Sequence, residues 1–277
     1  MASVILHDNI TSINADAFSH TINLTSINIP NSVTIIGERA FFGSGLTEIT
    51  IPGSIKVIQT DAFANCENLT TVTILEGVER IMYRAFANCV NLVDITIPNS
   101  VTAIYNVAFR NNRSLVSITI PDGVTEISNG LFDGCISLTN VCIPYGVTRI
   151  GFTAFAGCIS LTNINLPGSI TIIENQAFVG SGLTSINIPD GVTEINTQTF
   201  YNNINLLSVT IPYGVTLIGH SAFAGNINLT YVNIPDSVRR ISAMAFDGCI
   251  NLRYVSIPDI VDVEWNAFPD TTAITRR

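Results

Sequence analysis

Residues 92–109 read LVDITIPNSVTAIYNVAF, and this stretch decides the fold because close copies of it fill almost the whole chain. The phrase is Leu-x-x-Ile-x-Ile-Pro, a turn, Val-x-x-Ile and then Ala-Phe. Its leucine recurs every 23 residues, except for two intervals of 22 residues that end at Leu46 and Leu183. A fixed period of this length is typical of a solenoid, in which stacked units share one continuous core.

Two series of apolar residues mark the copies. The leading leucines are Leu24, Leu46, Leu69, Leu92, Leu115, Leu138, Leu161, Leu183, Leu206, Leu229 and Leu252. The closing phenylalanines are Phe18, Phe41, Phe63, Phe86, Phe109, Phe132, Phe155, Phe178, Phe200, Phe223, Phe246 and Phe268. The unbroken period predicts about 12 coils of 22–23 residues in a single domain that spans residues 1–277.

The local chemistry of one unit predicts its path. Residues 115–120 alternate apolar and polar side chains, which indicates a short strand with one buried face. Residues 121–123, Pro-Asp-Gly, form a turn, and Val124 and Ile127 indicate a short second strand. We expect one helical turn at the Ala-Phe dipeptide, with the phenylalanine in the core. Because every unit runs the same way, the strands are expected to be parallel and to stack at roughly 4.8 Å.

The two ends depart from the repeat. Residues 1–23 resemble a partial, capping first coil, with an edge strand near residues 4–6. Residues 252–277 are expected to form a capping last coil and a tail without a further strand. Trp265, the only tryptophan, is predicted to cover the end of the core. The exposed edge strand leaves both a monomer and an edge-strand dimer open.

Five of the six cysteines occupy one position of the repeat, three residues after the phenylalanine. They are Cys66, Cys89, Cys135, Cys158 and Cys249, and other coils carry Asn112, Asn203 or Asn226 there. Alternation of Cys with Asn predicts a buried site that hydrogen-bonds to the backbone, with free thiols. The spacing alone leaves a bridge between adjacent coils open. No histidine lies near these cysteines, so we expect no metal site.

Composition limits the classes of function. The net charge is −9 and Lys56 is the only lysine, which argues against nucleic-acid binding. No apolar run approaches 18 residues, so no membrane insertion is expected. The first residues lack a basic segment followed by an apolar one, so no signal peptide is expected either. The sequence leaves the localisation unknown.

No catalytic constellation accompanies the repeat. His20 and His220 lie nine coils apart, roughly 43 Å at the strand spacing, so they cannot share a site. Carboxylates are distributed along the coils, and the chain lacks a phosphate loop, a GxSxG elbow and an HExxH motif. We therefore expect no enzyme, no cofactor and no metal.

The outward positions of the first strands remain as a binding surface. They are short, polar and mostly uncharged, and tyrosines follow one another in two successive coils. Tyrosine is favoured at binding hot spots. The candidate protein-binding residues are Glu48, Asp94, Asn140, Asn163, Tyr231 and Tyr254.

Three smaller features give further expectations. The glycines of residues 43–45 and 180–182 shorten two coils and predict tighter bends. Leu75 replaces the turn proline in one coil. Glu126 and Arg149 occupy equivalent positions one coil apart and are expected to pair on the surface.

The unit LxxIxIPxxVxxIxxxAFxxCxxL resembles the BspA-like class of leucine-rich repeats, the bacterial surface-antigen type that also occurs in parasitic protists. The resemblance covers about residues 4–268. It implies a right-handed leucine-rich repeat solenoid with a parallel β-sheet on the concave face, and surface proteins that bind host matrix proteins or neighbouring cells. It carries over no catalytic residue.

These observations favour a non-enzymatic protein-binding module, with cell-surface adhesion or binding of a host or extracellular matrix protein as the specific hypothesis. The alternative is an intracellular protein–protein interaction scaffold, which the expected absence of a signal peptide favours. A third class is an ice- or glycan-binding surface built on the polar columns. The Ser, Glu, Asp and Tyr interruptions of the threonine columns weigh against ice binding.

Overall fold

The computed structural model describes residues 2–277, which form 24 strands and no helix. In chain order the strands are β1 (Ala2–Ile5), β2 (Ser12–Ile13), β3 (Leu24–Asn28), β4 (Ile35–Ile36), β5 (Glu48–Ile51), β6 (Val57–Ile58), β7 (Thr71–Ile74), β8 (Arg80–Ile81), β9 (Asp94–Thr96), β10 (Ala103–Ile104), β11 (Ser117–Thr119), β12 (Glu126–Ile127), β13 (Asn140–Cys142), β14 (Arg149–Ile150), β15 (Ile172–Ile173), β16 (Ser185–Asn187), β17 (Glu194–Ile195), β18 (Ser208–Thr210), β19 (Leu217–Ile218), β20 (Tyr231–Val232), β21 (Arg240–Ile241), β22 (Tyr254–Ile257), β23 (Asp262–Val263) and β24 (Ala273–Arg276).

Each coil contributes up to two strands, and like strands stack from coil to coil. The Leu-x-x-Ile segment gives the first strand and Val-x-x-Ile gives the second, as the alternation predicts. The first strands pair as β1-β3, β5-β7-β9, β11-β13, β16-β18-β20 and β22-β24. The second strands pair as β2-β4, β6-β8-β10, β12-β14-β15 and β17-β19-β21-β23. The observed pairings are parallel throughout, which confirms the predicted solenoid.

The helical turn expected at the Ala-Phe dipeptide is wrong. Residues two before and two after a phenylalanine have left-handed backbone angles, such as Asp61 and Asn65 with φ of 55° and 60°. A right-handed helix cannot contain such residues at this spacing. The amide of Phe63 between them donates to the Ala85 carbonyl of the next coil at 2.9 Å. The segment is therefore a chain of tight turns whose hydrogen bonds link one coil to the next.

The phenylalanines form one continuous stack through the core. Twelve rings lie in eleven successive stacked pairs, with centroids 5.0–6.0 Å apart and interplanar angles of 3–23°. The residue before the phenylalanine is buried in almost every coil, and it is usually alanine. A small residue there lets the turns of neighbouring coils approach closely. The buried side chains form one cluster from Ile13 to Phe268.

The alternating Cys and Asn position behaves as predicted. The Cys66 thiol donates to the Phe41 carbonyl oxygen at 3.0 Å, and the Asn226 amide donates to the Phe200 carbonyl oxygen at 3.1 Å. Five cysteines are buried and all six are free. Burial raises the pKa of the Cys66 thiol to about 11, so the thiol stays protonated and keeps its donor.

The glycines of the two shortened coils have two different roles. Gly43 and Gly180 have φ of 63° and 61°, close to the φ of 60° at the equivalent Asn65 of a full-length coil, so the expected tighter bend stays a prediction. Gly182 instead lies against the preceding coil, where an added Cβ would overlap the Ile159 carbonyl oxygen, and Gly45 is placed in the same way. The missing residue therefore brings two backbones into contact.

The ends partly correct the predictions. The edge strand is present as β1, but the tail forms a further strand, because β24 pairs in parallel with β22. Arg277 holds the end of that strand by donating to the Ile234 carbonyl and to the Asp236 carboxylate at 2.8 and 3.0 Å. Trp265 is 64% exposed and does not pack against the core, so its predicted role as a lid is wrong. The bounds of the capping coils, residues 1–23 and 252–277, stay a prediction.

Candidate functional site

The first strands present one polar surface, which we call the strand face: their exposed side chains together with those of residues 163–165. All six candidate residues, Glu48, Asp94, Asn140, Asn163, Tyr231 and Tyr254, lie on it and are exposed. Strand alternation explains this, since the neighbours of each candidate within the strand, such as Ile49 and Val255, are buried. Asn163 differs from the other five because its segment forms no strand.

The structure arranges the six residues as three separated pairs. Glu48 aligns with Thr71, and Thr71 aligns with Asp94, so the two carboxylates are two strand spacings apart, about 9.6 Å. The other pairs, Asn140 with Asn163 and Tyr231 with Tyr254, each occupy successive coils. Nine coils, roughly 43 Å, separate Glu48 of the first pair from Tyr254 of the last. One compact ligand cannot reach all six residues, so the candidate set describes an extended surface.

The tyrosine pair is the most exposed of the three. Tyr231 and Tyr254 are 63% and 75% exposed, and they begin β20 and β22. In the register of the sheet Tyr231 follows Ser208 and Tyr254 precedes Ala273. Two aromatic rings between two small residues form a raised patch with space on both sides.

The strand face carries few charged side chains, and from β1 to β20 their charge is negative. From β1 to β20, Glu48 and Asp94 are its only charged side chains. Neither takes part in the ion pairs that residues 2–277 form, all of which lie away from the strand face or at its C-terminal end. The predicted pair of Glu126 with Arg149 is confirmed at 3.3 Å, and Arg149 also reaches Glu174 at 3.2 Å.

Two shallow grooves lie on the strand face. One has a volume of about 550 Å³, crosses β1, β3, β5 and β7, and contains Glu48. The other, of about 410 Å³, is lined by Asn140 and Asn163 and by the exposed thiol of Cys142. The sequence did not indicate the first groove, whose outer limits are Ile5 and Leu75.

The chemistry available on this surface is that of binding. Within residues 2–277 no group of three or more His, Cys, Asp or Glu side chains is placed to hold a metal ion. The buried thiols are held neutral, since burial raises the pKa of Cys135 and of Cys249 to about 12. The strand face exposes hydroxyls, amides, carboxylates and phenols, which are groups able to form hydrogen bonds and ion pairs.

An apolar row lies along the edge that leads into the first strands. Its members follow the Cys or Asn position directly and are Ile136, Ile159, Ile204, Ile227 and Ile250, all exposed. Gly182 occupies the equivalent position in the shortened coil between Ile159 and Ile204. The pattern was visible in the sequence as CIS, CIS, NIN, NIN and CIN, once per coil.

Comparison with protein families shows to which family of repeat proteins the chain belongs. The family described as BspA type leucine rich repeat region (6 copies) matches residues 1–116, 104–229 and 171–276. The chain therefore belongs to the BspA-type leucine-rich repeat family. The match extends over nearly every coil described above, so the predicted fold class is confirmed.

Solved structures of other proteins share this architecture. A leucine-rich repeat protein from Bacteroides ovatus is 26% identical, with a TM-score of 0.69, over 99% of this chain and 92% of that one. A leucine rich cell surface protein from Faecalibacterium prausnitzii is also 26% identical, with a TM-score of 0.57, over 99% and 87%. The pneumococcal vaccine antigen PcpA, 21% identical with a TM-score of 0.62 over 99% and 73%, shares the fold. A search of curated proteins finds no match.

The leucine-rich repeat family is generally a non-enzymatic repeat scaffold, and its members typically bind other proteins. Residues 2–277 also contain no helix with the length and apolar composition needed to cross a membrane.

Proposed function

We propose that this BspA-type solenoid is a non-enzymatic adhesion module, which binds an extracellular matrix or host cell-surface protein through its strand face. The observation that carries the proposal is the raised pair Tyr231 and Tyr254 on an otherwise short-chained polar sheet. Large aromatic side chains dominate the binding energy of protein interfaces. The cell surface protein from Faecalibacterium prausnitzii supports the location.

The strand face fits a folded protein partner better than a small ligand. Its grooves are open and shallow, whereas small-molecule sites are usually enclosed and largely apolar. Twelve first strands and the segment 163–165, at about 4.8 Å spacing, give a surface roughly 58 Å long, which is enough for a standard protein interface.

The test is binding of the purified chain to immobilised extracellular matrix proteins by biolayer interferometry. A Tyr231→Ala/Tyr254→Ala variant should lose at least about tenfold in affinity, as expected for truncated hot-spot aromatics. Tyr83→Ala/Tyr105→Ala is the matched control, because these two exposed tyrosines also occupy successive coils but follow the second strands. Equal binding by wild type and the first variant would move the site away from the tyrosine pair, and no binding to any matrix protein would refute the adhesion role.

A second candidate, an intracellular interaction scaffold, is favoured by the cysteines. All six are free, whereas proteins of oxidising compartments usually pair their cysteines. Labelling of intact cells with an amine-reactive reagent that does not cross the membrane separates the two candidates. A labelled protein supports the surface module, and an unlabelled protein that reacts after lysis supports the scaffold.

A further inference from the structure

The groove over the first four coils differs in polarity between its ends and its middle. It crosses β1, β3, β5 and β7 on the strand face and has a volume of about 550 Å³. Ile5, 76% exposed, stands at its N-terminal end, and Leu75, 43% exposed, stands at the turn that follows β7. Glu48 and the hydroxyls of Thr50 and Thr73 lie between them. The groove is therefore apolar at its two ends and polar, with one carboxylate, in its middle.

The replacement of proline by Leu75 adds one backbone hydrogen bond to this part of the sheet. The Leu75 amide donates to the Ile51 carbonyl oxygen at 3.0 Å, a bond that proline could not make. Strands β5 and β7 accordingly pair over four residues, from Glu48 with Thr71 to Ile51 with Ile74. The same replacement leaves an aliphatic side chain exposed at the edge of the groove.

The electrostatics of the groove are uncompensated. Glu48 has no ion-pair partner among residues 2–277, and Asp94 extends the same line of side chains two coils further. No Lys or Arg stands on the strand face before Arg253, and the chain carries a net charge of −9. The groove therefore presents a negative potential at short range and within a negative overall field.

We propose that this groove, together with the neighbouring strand β9, binds an extended, basic segment of a partner protein. An arginine or lysine of that segment lies on Glu48, a second one lies on Asp94 just beyond the groove, and an aliphatic side chain lies at Ile5 or Leu75. The proposal rests on the proposed protein-binding role and names the chemistry of one partner element. From β1 to β9 the surface spans four strand spacings, about 19 Å, which about six extended residues cover. Arginine fits best, because its planar guanidinium forms two hydrogen bonds with one carboxylate.

The probe is a fluorescein-labelled peptide, Gly-Val-Thr-Arg-Thr-Arg-Val-Gly, and anisotropy measures its binding to the full chain. Control peptides replace both arginines by glutamine or by glutamate. The arginine peptide should bind saturably, and high salt should weaken it. Glu48→Gln should lower its affinity about tenfold, and Glu48→Gln/Asp94→Asn should lower it further.

The matched control variant is Asp122→Asn/Asp190→Asn. It changes the net charge by the same amount as the groove double variant, but both residues lie in the turns after the first strands. Binding should be unchanged in this control. Equal weakening in both double variants would mean attraction to the general charge of the chain and would overturn the proposal. Equal binding of the glutamine or glutamate peptide would overturn it as well.

Two further outcomes separate this inference from the proposed function. Tyr231→Ala/Tyr254→Ala should leave peptide binding unchanged, because the tyrosine pair lies about eight coils away. If the arginine peptide does not saturate up to about 1 mM while tyrosine-dependent matrix binding persists, only the groove proposal fails. If sedimentation shows that the chain self-associates and that Glu48→Gln abolishes this, the occupant is a second copy and the peptide proposal is wrong.

Discussion

The interior and the strand face follow the same period but use it in opposite ways. Inside, one residue type recurs in every coil, and twelve phenylalanine rings stack from end to end. On the strand face, equivalent positions change from Glu48 to Asp94 to Asn140 to Tyr231. The interior must match its neighbour above and below, so packing holds it constant, whereas each exposed position contacts solvent and is free to vary. The fold therefore depends on the residues that repeat, and we expect the proposed binding specificity to depend on those that do not.

The cysteines give the largest expected contrast between the two regions. Cys142 lies exposed on the strand face, while the other five thiols are buried. Burial raises the pKa of Cys66 to about 11 and that of Cys135 to about 12, so the reactive thiolate is scarce at pH 8. A disulfide-exchange reagent should therefore modify one thiol per native chain at pH 8 and all six in denaturant.

The pH dependence sharpens this expectation. Raising the pH from 8 to 9 should leave the buried thiols slow, because the pKa values of thiols such as Cys135 and Cys249 lie well above this range. Cys142→Ser should remove the fast phase. Two or more fast thiols in that variant would show that the Cys and Asn position is open to solvent.

Truncation of one phenylalanine side chain in the stack should have the next largest effect. Phe132 is fully buried, and its ring centroid lies 6.0 Å from that of Phe109 and 5.5 Å from that of Phe155. Phe132→Ala should lower the free energy of unfolding by about 3–5 kcal/mol, measured by urea denaturation. Phe152→Ala is the control, because Phe152 is 44% exposed and its loss should cost less than about 1 kcal/mol. Similar losses in both variants would mean that the stack does not stabilise the coils.

The sequence predicted most of the fold because the determinants of the fold are periodic. The spacing of leucines and phenylalanines indicated parallel coils, and Cys alternating with Asn indicated a buried donor. The helical turn was wrong because left-handed angles at residues such as Val107 and Thr153 are not favoured by residue type and accompany hydrogen bonds between coils. The tail strand β24 was missed because its pairing with β22 breaks the 23-residue period.

The candidate site was predictable as a surface but not as discrete elements. Strand alternation placed all six candidate residues on the exposed face. The division into three pairs follows from the coils of the 23-residue repeat in which the six residues lie. The groove around Glu48 could not be predicted, because its two ends are formed by Ile5 and Leu75. These residues lie 70 residues apart in the chain and border one groove only when four coils stack.

The smallest expected effect concerns the surface ion pairs of the second strands, which repeat in sequence without contributing much to the core. Arg149 contacts Glu126 at 3.3 Å and Glu174 at 3.2 Å, so one guanidinium links three coils. Arg149→Ala should lower the free energy of unfolding by about 0.5–1 kcal/mol, and high salt should reduce the difference from wild type. Lys56→Ala removes a longer and more exposed pair, with Glu79 at 3.8 Å, and should have no measurable effect. A loss at Arg149 near that of Phe132→Ala would mean that surface charge rather than the interior stack holds neighbouring coils together.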